Sequence, residues 1–119
     1  MFFQQLLDSR ELNVHGDGKQ TRSFTWIDDV VSGFVQAGMR DVPSGGVYNI
    51  GSTEEISILD LAHRIAKFSV GVTITNGEGY HGDVKRRLPS TSSSEKFLGW
   101  QSTISLDEGL ELMWQSLNL

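Results

Sequence analysis

No cysteine occurs among the 119 residues. That excludes a disulfide framework, a thiolate zinc site and a cysteine nucleophile, and it fits a reducing compartment, so a cytoplasmic setting is expected. Long apolar runs are missing too. None exceeds three residues, far short of the ~20 that span a bilayer, so no membrane partner is expected. The Met1-Phe2-Phe3 start has neither a basic flank nor a long apolar stretch and does not read as a secretory signal. Positive charge is in deficit: 10 Lys and Arg stand against 15 Asp and Glu, a net charge of −5. A nucleic-acid partner is therefore not expected, because phosphate backbones select a net basic footprint. No Walker lysine follows a glycine cluster, and neither H-E-x-x-H nor G-x-S-x-G occurs. His15, His63 and His81 lie far apart, without ligand spacing, so no metal site is expected.

What is present is ordinary for a folded chain. With 38% hydrophobic and 21% charged residues, the sequence is not a disordered polyelectrolyte. At this length one core is feasible, and residues 1–119 read as a single domain. Phe2, Phe3, Leu6 and Leu7 recur at helical spacing, which predicts a helix from Met1 to about Ser9. Alternation at Leu12-Asn13-Val14-His15 and at Arg22-Ser23-Phe24-Thr25-Trp26 predicts two strands. The Gly16-Asp17-Gly18 turn between them suggests a hairpin. Asp28 or Asp29 stands where a helix cap belongs, followed by an apolar face of Val30, Val31, Phe34 and Val35 that ends near Gly38.

Val47-Tyr48-Asn49-Ile50 reads as a short buried strand. Ser57 with Asp60 caps a helix whose inner face is Ile58, Leu61, Ala62 and Ile65, and Val72 to Thr75 is strand-like. Ser105 with Glu108 opens a last helix carrying Leu106, Leu110, Met113 and Leu117 on one face. The order of elements predicts a small α/β domain.

Two motifs invite functional readings. Gly77-Glu78-Gly79-Tyr80-His81-Gly82 matches the G-x-G-x-x-G pattern, but a dinucleotide fingerprint must open an apolar helix. A charged stretch ending in Pro89 follows instead, so a flexible loop is expected. The paired Asp28 and Asp29 are explained more simply by a helix N-terminus than by catalysis. Arg22, just past a tight turn, and the cation run Lys85-Arg86-Arg87 are more informative. Arginine forks suit phosphate oxygens, so two such sites in an acidic chain can clamp a diphosphate. They equally suit a surface cation cluster balancing nearby carboxylates.

Taken together, five segments carry a resemblance: the helix Met1 to Ser9, the stretch Leu12 to Val30, Val47 to Gly51, Asp83 to Trp100, and Ser105 to Gly109. In this order and at these intervals they resemble the C-terminal lobe of the extended short-chain dehydrogenase/reductases, the NAD-dependent nucleotide-sugar epimerases, dehydratases and decarboxylases. The resemblance implies a small mixed α/β domain that holds a nucleotide sugar, while a separate Rossmann lobe holds NAD. It implies that Arg22 and Arg87 grip the diphosphate and that the Val14-His15 strand lies along the nucleoside, with the His15 ring on the base. Gln20 would shape the loop and touch ligand, and Asn49 would tie backbone together rather than contact substrate. Two positions depart from the family pattern: Ser90 stands where an Asp is usual and Ser93 where a Lys is usual.

The family's chemistry requires a Tyr-x-x-x-Lys pair, in which lysine lowers the pKa of a tyrosine acid/base. Here Tyr48 and Tyr80 are followed, four positions on, by Ser52 and Val84. The glycine-rich NAD turn is absent as well, as though the chain starts beyond both features. The expectation is a nucleoside diphosphate sugar as partner, no NAD bound by this chain, and no catalysis by it alone. An alternative is an assembly module that pairs with itself or with a chain supplying the Rossmann half, through an apolar surface including Phe2, Phe3 and Trp26. A truncated product without activity is the remaining alternative.

Overall fold

The computed structural model describes residues 1–118. The fold is mixed α/β. Helix α1 (Phe2–Asp8) leads into β1 (Glu11–His15) and β2 (Thr21–Ser23), then α2 (Ile27–Met39). Next come β3 (Glu55–Ser57), α3 (Ile58–Ala66) and β4 (Thr73–Gly77); a single wide helical turn at Ser94–Leu98 precedes α4 (Leu106–Leu117). Two compact units draw on interleaved segments. Residues 1–22, 56–87 and those from Leu110 onward form the first; 23–55 and 88–109 form the second. Among the described residues no helix is long and apolar enough to cross a membrane.

In the first unit β1 and β4 run parallel, with Glu11 opposite Thr73 and His15 opposite Gly77. Leu12 and Val14 point to the covered face of β1 and are fully buried. They join Phe2, Phe3 and Leu6 of α1 and Leu61, Ala62 and Ile65 of α3 in one apolar core. Apart from Ala62, each such side chain contributes roughly 1.5–3 kcal/mol when removed from water. Phe3, Phe68 and Trp114 pack as an aromatic trio with ring centroids 5.6–5.8 Å apart. Helix α3 starts where expected, with Ser57 Oγ accepting from the Asp60 N–H at 3.1 Å.

The second unit centres on Leu98, Trp100 and Leu106. Gly33 of α2 is buried against Ile50, and a Cβ there would come within 2.7 Å of the Ile50 side chain. Ser105 Oγ accepts from the Glu108 N–H at 3.2 Å, which opens α4 as predicted.

Several expectations are corrected. The hairpin does not form: β1 pairs with β4, and β2 pairs with β3. The second strand stops at Ser23 rather than Trp26. Val47 to Ile50 is not a strand; the Asn49 carbonyl accepts from Ser94 Oγ, and Asn49 Nδ2 donates to the Ser90 carbonyl at 3.0 Å. Asn49 thus ties backbone segments together, as its position implied. Neither Asp28 nor Asp29 caps α2. Trp26 holds that place without capping a helix amide; its Nε1–H donates instead to Asp28 Oδ2 at 3.1 Å.

The face of α2 read as core is open: Val31, Phe34 and Val35 are 51%, 69% and 51% exposed. Phe2 and Phe3, expected on an open surface, are buried instead. On α4 the inner face is Leu106 and Leu110, with Trp114 continuing it in place of Met113 and Leu117.

Candidate functional site

Because β1 and β4 are parallel neighbours, the turn after one and the loop after the other emerge side by side. Open α/β sheets bind ligands at such carboxyl ends of strands. The two connections are tied together: the Gly16 N–H donates to the Gly77 carbonyl at 3.1 Å, and Asn76 Nδ2 donates to the Gly16 carbonyl at 2.9 Å.

The turn is anchored from below by α3. The first amides of that helix have no intrahelical acceptors. The Ile58 N–H finds the Gln20 carbonyl and the Leu59 N–H the Gly18 carbonyl, both at 3.0 Å. Gly18 is needed there, because its φ is +70° and a Cβ would come within 2.8 Å of the Leu59 side chain.

Between turn and loop lies a cleft of about 320 Å³, lined by His15, Gly16, Asp17, Lys19, Gln20, Gly79, Tyr80, Asp83 and Lys85. It sits at the small end of the range for ligand pockets, about 300–1,000 Å³. The His15 and Tyr80 rings meet at 4.7 Å between centroids, tilted by 47°. Gln20 Nε2 donates to the His15 carbonyl at 3.1 Å, which holds the end of β1 to the turn. Asp17 Oδ1 accepts from the Lys19 N–H at 2.9 Å and fixes the turn's outer arm. Two lysines, one histidine and one glutamine therefore line a cleft that is also lined by two aspartates. Such a wall offers donors to anionic oxygens and a ring face to a planar group.

Of the residues singled out from sequence, His15 and Gln20 line this cleft. Val14 does not: its side chain is wholly inside the core. Arg22 and Arg87 are also absent from the wall. They are nevertheless neighbours along the backbone. Thr21 bridges to Arg86 in parallel, with the Thr21 N–H donating to the Lys85 carbonyl and the Arg87 N–H to the Thr21 carbonyl. The bridge brings the backbones on either side of Arg22 and Arg87 together.

Arg22 is one-fifth exposed and pairs with Asp83 at 2.7 Å, whereas Arg87 is exposed. Tyr80, Lys19 and Asp83 were missed as site residues. Lys85 stood out only as part of its cation run. The glycine loop after β4 was the available signal for Tyr80, once freed from the dinucleotide reading. His63 is exposed, and among the described residues no group of three metal-ligating side chains forms.

Residues after Gly77 do not suit a dinucleotide. From 78 to 91 the backbone holds no helix, so no helix N-terminus stands behind those glycines to face a pyrophosphate.

Comparison with known proteins adds an independent line. Residues 2–113 match the family model described as GDP-mannose 4,6 dehydratase. UDP-glucuronic acid decarboxylase 2 of Arabidopsis thaliana is 33% identical over 113 residues, covering 94% of this chain and 25% of the relative. UDP-glucose 4-epimerase of Mycolicibacterium smegmatis is 34% identical over 116 residues, covering 92% of this chain and 35% of the relative. A solved UDP-glucuronic acid 4-epimerase from Bacillus cereus, in complex with UDP-glucuronic acid and NAD, superposes with a TM-score of 0.89 at 34% identity. It accounts for 98% of this chain and 38% of its own. The chain thus spans between a quarter and about a third of the curated relatives it matches.

Proposed function

Since the chain belongs to the GDP-mannose 4,6 dehydratase family, we propose that it binds a nucleoside diphosphate sugar at the ends of β1 and β4, in the cytoplasm. In this reading residues 1–119 act as one nucleotide-sugar-binding module. The chain binds no NAD of its own and completes no hydride transfer alone. The cleft carries the reading: a histidine, a glutamine and two lysines line it where the two parallel strands end. His15 presents its ring to the base and Gln20 holds the turn. The Val14 backbone runs beside the nucleoside, and Arg22 and Arg87, brought near each other by the Thr21–Arg86 bridge, receive the diphosphate. Relatives of this chain are NAD-dependent nucleotide-sugar epimerases and dehydratases, which supports the ligand class.

Calorimetric titration with the diphosphates of uridine, thymidine, cytidine and guanosine tests the proposal. Arg22→Ala and Arg87→Ala should each weaken the preferred ligand by about 1–3 kcal/mol. Equal binding by wild type and both variants removes the phosphate assignment.

A second reading is favoured by α2. Ile27, Val31, Phe34 and Val35 leave a continuous apolar stripe open at helical spacing. Such a stripe suits another polypeptide, either a second copy or a chain that carries the cofactor-binding half. Sensitivity of sedimentation to substitutions on α2 tests this independently of ligand binding.

A further inference from the structure

Arg22 is held by more than its carboxylate partner. Its Nη1 donates to the Thr21 and Val84 carbonyls, each at 2.7 Å, while Nη2 donates to Asp83 Oδ1 at 2.7 Å. The two carbonyls position the guanidinium without neutralising it. Asp83 neutralises it, and Asp83, unlike Arg22, belongs to the wall of the cleft. The Asp83 side chain is about one-third exposed, so it can swing toward solvent while its N–H stays on the Tyr80 carbonyl at 3.2 Å.

We propose that Asp83 is a displaceable internal anion, which occupies Arg22 until a diphosphate takes its place. This rests on the nucleotide reading of the cleft and adds how that site discriminates among ligands. A phosphate oxygen approaching Arg22 competes with the carboxylate for the same cation and is repelled by the carboxylate's charge. A neutral nucleoside does not displace Asp83. A diphosphate carries enough charge to do so, and Arg22 remains in place because the Thr21 and Val84 carbonyls still hold Nη1. Asp83 therefore sets the charge an anion must bring to reach Arg22, and favours diphosphates over weakly charged anions; an uncharged nucleoside does not compete for Arg22.

The test is a titration of the full chain and of Asp83→Asn and Asp83→Ser with uridine diphosphate, inorganic diphosphate and uridine. Removing one like charge from a partly exposed site should tighten both phosphates by about tenfold. Uridine should gain far less than either phosphate, and adding Arg22→Ala should abolish that difference. If the variants melt like wild type but bind diphosphate no better, Asp83 is a brace and the inference fails. It fails equally if neither variant folds, since the carboxylate is then structural. If wild type binds uridine diphosphate and only the gain is missing, the nucleotide reading survives. If no protein binds any nucleotide, both fall.

Discussion

The Asp29 carboxylate and Thr103 are 74 positions apart and joined twice: the Thr103 N–H donates to Oδ2 at 2.9 Å and its hydroxyl to Oδ1 at 2.8 Å. The Ile104 N–H adds a third bond at 3.0 Å, and Asp29 is buried. Burial alone pushes this carboxyl's pKa up, but the bonds from Ile104 and Thr103 outweigh it and hold the group below its ordinary value. A carboxylate lowered in the fold stabilises at pH above its unfolded value, near 3.9, and that stability is lost as pH falls through the folded value. Asp29→Ala should cost about 3 kcal/mol at pH 7, since it removes charge-assisted bonds and strands two amides. Urea unfolding of wild type and variant should show that gap closing below about pH 4. A gap independent of pH points to packing rather than charge.

Trp100 closes the other side of the same cluster. It is almost wholly buried, and its Nε1–H donates to the Asp29 carbonyl at 2.9 Å and to Ser32 Oγ at 3.0 Å. Trp100→Phe keeps an aromatic ring but removes the indole donor; Ser32 Oγ still donates to the Asp29 carbonyl at 2.9 Å, so the expected cost is about 1 kcal/mol. Trp100→Ala adds a cavity and should cost about 3–5 kcal/mol. Comparable losses in the two variants, measured by denaturant titration, would show that the indole N–H dominates.

The helices were legible because each is written locally. Ser57 and Ser105 announce α3 and α4, and apolar spacing marks all four helices. Strand partners were not legible. The alternation at Leu12 to His15 says that one face of β1 is buried, but not that its neighbour is Thr73 to Gly77, 62 positions further on. The positive-φ glycines Gly16 and Gly18 do turn the chain, yet it runs on into β2, which pairs with β3, rather than back along β1. Val47 to Ile50 carries strand-like residues, but Ser94 and Ser90 meet Asn49 in place of a ladder.

The apolar stripe on α2 illustrates a different limit, because helical periodicity marks a face that avoids water without saying what covers it. His15 and Gln20 were named through the family resemblance of the Leu12 to Val30 stretch, not through local spacing. Tyr80, Asp83 and Lys85 come from a loop 60 or more positions later, and only the parallel pairing brings them to the cleft.

Gly18 and Gly45 separate backbone strain from steric fit. Both have positive φ, +70° and +78°, but a Cβ on Gly18 would lie 2.7 Å from the Val14 side chain while Gly45 has open space around it. Gly45→Ala should therefore cost only the left-handed conformation, about 1–2 kcal/mol. Gly18→Ala must also shift Val14 or Leu59, and should cost more while weakening nucleotide binding, because the turn that carries Gln20 moves with it. Thermal melts rank the stabilities, and titration reads the binding. A Gly18→Ala protein that binds as wild type would separate the turn from the ligand site.

Phe34 decides whether the α2 stripe is an interface. It is 69% exposed, so Phe34→Lys removes little buried surface and should change unfolding free energy by no more than about 0.5 kcal/mol. Its effect should instead appear in association. If α2 docks against another polypeptide, wild type should sediment as a concentration-dependent assembly, and Phe34→Lys should shift it to monomer. Val31→Lys, one turn earlier on the same stripe, should act in the same direction. Val70→Lys, at an exposed apolar residue beyond α3 and away from α2 in sequence, makes the same change in charge and should leave association unchanged. A wild-type chain that stays monomeric at high concentration removes self-association as the use of this face. Co-sedimentation with a separately expressed cofactor-binding half, lost in Phe34→Lys, would then identify a heterologous partner as its use.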